Sequence, residues 1–135
     1  MDAYVEHVGN TATLTFEVTS QDTASKYLSG DVAVLATPQL VAWVEAASLA
    51  NAKLWLAPEL TTVGTRVDVT HQAATPVGAS VEVRAKLVAA TDRTARFTVW
   101  AGHWTKHVEG KTVLTGTIER AIVDRARFMA GVAKA

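Results

Sequence analysis

Residues 37–56 read TPQLVAWVEAASLANAKLWL. Thr37-Pro38 predicts a helix start, because threonine can cap free N–H groups and proline fits the first helical turn. The run from Gln39 to Leu56 is apolar nearly all round. A helix with that pattern is buried on most of its sides. Pro58 ends it. Glu45 is the only charged side chain between Asp31 and Lys53.

Outward from this helix the period of the pattern changes. Upstream, Thr11 to Val18 alternates loosely through Leu14, Phe16 and Val18 and predicts a first strand. Ser20 to Asp31 is polar and mixed, a loop or short helix, with Gly30 as a breaker. Downstream the period becomes two. Val63, Thr65, Val67, Val69 and His71 are expected on one strand face, directed at the helix, with Arg66, Asp68 and Thr70 on the other. Thr75-Pro76-Val77-Gly78 predicts a turn. Val81 to Leu87 then alternates with Glu82, Arg84 and Lys86 and reads as a half-exposed strand. Thr91-Asp92-Arg93 turns the chain into a strand from Arg96 to His103. Gly110 marks another turn before a last strand, Val113 to Val123. Asp124 to Ala135 predicts a short terminal helix.

The order is thus strand, one long apolar helix, then four strands joined by connections too short for parallel crossovers. An antiparallel sheet has a face to cover, and the helix is the available cover. The expected class is α+β: one domain over residues 1–135, an antiparallel sheet wrapped around a long central helix in the hot-dog arrangement. That layout leaves a helix flank and a sheet edge to bury, which favours a dimer.

Composition narrows the function classes. Hydrophobic residues are 49% and charged residues 19% of the chain, enough for a packed core. Lysine plus arginine equals aspartate plus glutamate at 13 each, so no general attraction to nucleic acid or an anionic membrane is expected. There is no cysteine, which excludes disulfides, thiolate metal sites and cysteine nucleophiles. Met1 to Asn10 has neither the basic nor the apolar region of a signal peptide. Val32 to Ala52 is too punctuated for a membrane span. A soluble cytoplasmic protein is expected.

Three residues could carry chemistry. Glu45, a lone carboxylate in an apolar helix, must find hydrogen bonds, stay protonated or face a wet pocket. It could equally reach solvent or anchor a neighbouring backbone. His71, on the helix-facing side of its strand, could be a general base, or simply a core histidine bonded to a carbonyl. Thr37 is explained as an N-cap, but a helix N-terminus also presents free N–H groups that can hold a carbonyl oxygen as negative charge develops on it. His7, His103 and His107 read as solvated or packing residues, and the four tryptophans as core or interface. There is no GxSxG elbow, P-loop, GxGxxG or HExxH.

Thr37-Pro38 leading to Glu45, then Val63-Gly64-Thr65, the segment Val69-Thr70-His71-Gln72-Ala73-Ala74-Thr75-Pro76-Val77-Gly78, and Gly116-Thr117-Ile118-Glu119-Arg120-Ala121 together resemble the fluoroacetyl-CoA thioesterase family of hot-dog proteins. The resemblance runs from about Thr37 onward. It implies hydrolysis of an acyl-CoA thioester, with coenzyme A part of the substrate, no separate cofactor and no metal. By the same resemblance Thr37 is the nucleophile or thioester-positioning hydroxyl, and His71 the general base. Glu45 orients the histidine or a water, or itself attacks the acyl carbon. Gly64 lets the thioester approach the backbone. The family implies a homodimer with the site at the subunit interface. Arg120, Arg84 and Arg125 are candidates for the CoA phosphates. The segment from Tyr27 to Leu35 lacks the family's lid phenylalanine, so a small or medium acyl group is expected without fluorine selectivity. The competing reading is a non-catalytic acyl-CoA-binding protein on the same fold.

Overall fold

The computed structural model describes residues 3–105 and 108–135, without the side chains of 108 and 109. In chain order the elements are β1 (Thr11–Glu17), α1 (Ala24–Tyr27), α2 (Thr37–Lys53), β2 (Leu60–His71), β3 (Ser80–Ala90), β4 (Thr94–Thr105), β5 (Val108–Asp124) and α3 (Arg125–Ala133). Short 3₁₀ turns lie at Val5–His7 and Ser20–Asp22.

The five strands form one antiparallel sheet in the order β1-β3-β4-β5-β2. The expected antiparallel sheet around a long helix is present. The short connection from β2 does not make a hairpin, because β2 pairs with β5 and not with β3. The chain leaves β2 at Gln72, crosses the sheet, and starts β3 beside β1, while β5 returns to pair with β2. Gly78, at φ +94°, takes the left-handed conformation in that crossing. Gly110 does not mark a turn; it lies inside β5, which begins at Val108.

Leu40, Trp43, Val44, Ala47, Ser48, Asn51 and Ala52 of α2 are buried, a spacing of three and four that draws one face along the helix. This face packs on Val81, Val83, Ala85 and Leu87 of β3, on Phe97 of β4 and on Leu114 and Ile118 of β5, all within one core cluster. Each fully buried aliphatic side chain there stabilises the fold by about 1.5–3 kcal/mol. Asn51, itself buried, fixes the helix to the sheet: its Nδ2 donates to the carbonyls of Asn10 and Ala85, and its Oδ1 accepts from Trp55 Nε1. The expectation of burial on most sides is corrected. Val41, Ala46, Leu49 and Ala50 are only half-buried and Ala42 is exposed, so an apolar flank of α2 stays uncovered in one chain.

β3 also departs from a half-exposed strand. Glu82 is buried with 5% exposure and accepts from Arg84 Nε at 2.7 Å, while the Arg84 guanidinium lies 4.3 Å from the centre of the Trp100 ring. The solvent face of the sheet is closed here by a charged pair seated on an indole.

Candidate active site

The N-terminus of α2 meets the C-terminal end of β2. The N-cap residue is Ala36, and no side chain caps the helix. Thr37 is therefore not the N-cap that its place before proline predicts; it occupies the first helical turn with Pro38. Its hydroxyl turns away from the helix backbone and sits 2.8 Å from Nδ1 of His71. A hydroxyl and an imidazole at that distance form the nucleophile–base geometry of acyl-transfer sites. Nε2 of His71 is buried with no hydrogen-bond partner among the described residues. Burial lowers the His71 pKa below its ordinary 6.5, opposed by a hydrogen bond with the Ala73 backbone. Desolvation thus favours the neutral imidazole, the form that can accept a proton.

His71 reaches this position because of an irregularity in β2. The register with β5 shifts between Gly64 and Arg66, so Thr65 has no opposite residue. A bulge of that kind reverses which residues face the core. Thr62 and Gly64 stand opposite Ile122 and Arg120, whereas Val67 and His71 stand opposite Ile118 and Leu114. The single face expected for Val63, Thr65, Val67, Val69 and His71 is therefore corrected: Val67, Val69 and His71 look toward α2, while Val63 and Thr65 do not share that face.

Glu45 lies roughly 12 Å further along the α2 axis. It occupies the niche opened by Gly64, where a β-carbon would stand 2.5 Å from Oε2. The same Oε2 accepts from Nη1 of Arg120 at 3.2 Å. Arg120 is buried to 6% exposure, and its remaining contacts run to Thr62: Nε to the hydroxyl at 2.7 Å and Nη2 to the carbonyl at 3.1 Å. Burial lowers the Arg120 pKa while Glu45 raises it, and a guanidinium so placed remains charged. Each of its three nitrogens donates to a protein acceptor, and one of these bonds holds Glu45. Neither this role nor that of Thr62 was assigned from sequence. The signal was the alternation of Ile118, Arg120 and Ile122, which put an arginine on the helix-facing side of β5.

Within one chain the structure brings Thr37 to His71, and Glu45 to Gly64 and Arg120. Among the described residues no contact joins the two pairs. An open cavity of about 330 Å³ adjoins Thr37 and His71, walled by Ser29, Val32, Val34 and Ala73. The segment over it is tied down by Tyr27, whose hydroxyl donates to Gln39 Oε1 at 2.6 Å; Gln39 Nε2 in turn donates to Asp22. Of the other histidines, His103 hydrogen-bonds Thr75 at 2.9 Å and His7 stacks on Trp55. His107 lies outside the described residues. Among the described residues no three His, Cys, Asp or Glu side chains converge as a metal site, and no helix is long and apolar enough to cross a membrane.

The sheet order and central helix define a hot-dog fold. A hot-dog-like protein from Thermanaerovibrio acidaminovorans superposes with a TM-score of 0.83 at 18% identity, over 98% of this chain and 96% of that one. A Thermus thermophilus hypothetical protein of the thioesterase superfamily gives 0.83 at 23% identity, over 94% and 90%. The fluoroacetyl-CoA thioesterase FlK gives 0.81 at 31% identity, over 94% and 95%. The model of the fluoroacetyl-CoA-specific thioesterase family matches residues 18–126. The chain belongs to that family. A comparison with curated proteins finds no match.

Proposed function

We propose that the protein is a cytoplasmic acyl-CoA thioesterase acting on a small or medium acyl group through Thr37, His71 and Glu45. The observation that carries this reading is the 2.8 Å contact between Thr37 Oγ1 and His71 Nδ1. His71 takes the hydroxyl proton as Thr37 Oγ1 attacks the thioester carbon, and returns that proton to the departing CoA thiolate. Water, deprotonated by the same imidazole, then releases the carboxylic acid and regenerates Thr37. The uncapped N-terminus of α2 offers backbone N–H groups and its positive dipole end to the carbonyl oxygen as charge develops. The small and aliphatic walls of the adjoining cavity suit a short acyl group.

In this reading the enzyme is a homodimer and the site is completed across the subunit interface. Three features support it. β2 is a sheet edge, and Gly64 to Asp68 along it are exposed. The apolar flank of α2 is uncovered in one chain. Among the described residues the buried Nε2 of His71 has no acceptor and Oε1 of Glu45 has no donor. A two-fold axis near Val67 and Asp68 would set the Gly64 end of one β2 beside the His71 end of the other. The Glu45 carboxylate of one subunit would then meet the imidazole of the other and orient it.

The test is CoA release from a panel of acyl-CoA thioesters, followed with a thiol-reactive dye. Turnover that falls by roughly 10²-fold or more in Thr37→Ala, His71→Ala and Glu45→Gln is the expected result. Tight acyl-CoA binding without release by the wild type would instead make the protein a binding module.

A further inference from the structure

We infer that the cleft between the C-terminal half of α2 and the start of β2 receives the phosphate-bearing arm of coenzyme A, with Lys53 and Arg125 as the cations that meet its phosphates. The inference rests on the acyl-CoA reading above and names the part of the protein that would hold the substrate away from the reacting carbon.

The cleft has a volume of about 300 Å³, with Leu49, Ala52, Leu56 and Leu60 among its walls and Lys53 and Arg125 at its rim. It begins one helical turn beyond Glu45, at Leu49. Leu49 and Ala52 follow Glu45 by four and seven residues, so all three share one side of α2. On the strand side Leu60 lines the cleft, four residues before Gly64 and on the same strand face. Lys53 is roughly 12 Å from Glu45 along the helix axis, and its side chain carries the charge further from the reacting centre. An uncharged arm can therefore lie on the apolar walls while the phosphates reach the two cations.

The cations divide by what they already touch. Arg120 is enclosed by Glu45 and Thr62, and Arg84 is held by Glu82 and Trp100. Lys53 and Arg125 are exposed and form no ion pair among the described residues. The Arg125 backbone N–H donates to the Glu59 carbonyl at 2.9 Å, which fixes the first residue of α3 at the cleft. Asp124, next to Arg125 in sequence, already accepts from the Arg127 backbone. Two available cations at the end of an apolar channel match an anionic terminus on a neutral chain.

The experiment compares a short acyl-CoA with the matching acyl-N-acetylcysteamine thioester, which lacks the phosphates, in wild type and Lys53→Glu/Arg125→Glu. The preference for the CoA thioester, as a ratio of kcat/KM values, should fall roughly ten-fold, through KM. Calorimetric titration of free CoA should weaken by a similar factor. An unchanged preference ratio with unchanged CoA affinity overturns the inference, as does a wild type that binds no CoA. If the wild type cleaves neither thioester yet binds CoA in a manner that depends on Lys53 and Arg125, the subsite stands and the hydrolase reading fails.

Discussion

Gly64 and Glu45 exclude one another's space: a β-carbon on the glycine would stand 2.5 Å from the carboxylate Oε2 and 3.5 Å from Nη1 of Arg120. The contact comes from opposite sides, β2 and α2, so neither backbone can yield without disturbing the core. Gly64→Ala should therefore displace Glu45 rather than the strand. Displacement of a catalytic carboxylate by about 1 Å costs on the order of 10²-fold in rate. The expected result is a large fall in kcat/KM with a melting temperature close to wild type. Full activity in Gly64→Ala would mean that Glu45 does not act from this position.

The pH profile should carry the mark of His71. Its pKa is lowered from 6.5 by burial, so the neutral base persists into mildly acidic solution. As pH falls through the folded-state value the imidazole is protonated and the base is lost. The acid limb of kcat/KM should consequently have its midpoint below 6.5 in Glu45→Gln, where no carboxylate faces the imidazole, and should vanish from the residual activity of His71→Ala. The linked stability has the same sign. The preference for neutral His71 contributes fully above the unfolded value and is lost as pH falls below the folded one. A midpoint above 6.5 in Glu45→Gln would contradict the burial argument.

Much of this was legible in residues 37–71, and the failures have physical causes. The helix was readable because Gln39 to Leu56 carries only two charges, Glu45 and Lys53, amid apolar residues. That pattern was over-read as near-complete burial, since a sequence does not distinguish a flank buried in its own chain from one left for another chain. Thr37 and His71 could be nominated singly, but the 2.8 Å contact depends on the bulge at Thr65. Simple alternation along β2 has no way to signal an extra residue. The crossing of the chain from β2 to β3 was equally hidden, because Gln72 to Ala79 is as short as a hairpin connection. Arg120 was legible only as one of three arginines suited by charge to the CoA phosphates; its register opposite Gly64, which turns it inward to Glu45, was not.

Arg120 should matter to folding as well as to activity. Removing it leaves the Thr62 hydroxyl and carbonyl and the half-buried Glu45 carboxylate without their donor. Arg120→Met is expected to cost about 1–3 kcal/mol, read as a lower chemical-denaturation midpoint. Arg120→Lys should rescue little, because an ammonium does not reproduce the planar fork that spans Thr62 and Glu45. Adding Glu45→Gln to Arg120→Met should return part of the lost stability, since the unpaired charge is then gone. Equal stability of Arg120→Met and wild type would rule out this account of the pair.

Mixing two inactive variants decides where the site is built. If Glu45 acts on His71 of the other subunit, a Glu45→Gln chain and a His71→Ala chain complement each other. Their heterodimer holds one site with both wild-type residues and one site with neither. Equal mixing, followed by subunit exchange, makes half of the dimers mixed, so roughly a quarter of wild-type sites return. Each variant alone should stay inactive, and a double variant mixed with wild type should show no gain beyond dilution. If instead both residues serve a site within one chain, the mixture remains as inactive as its components, and the interface reading is lost while the thioesterase reading survives.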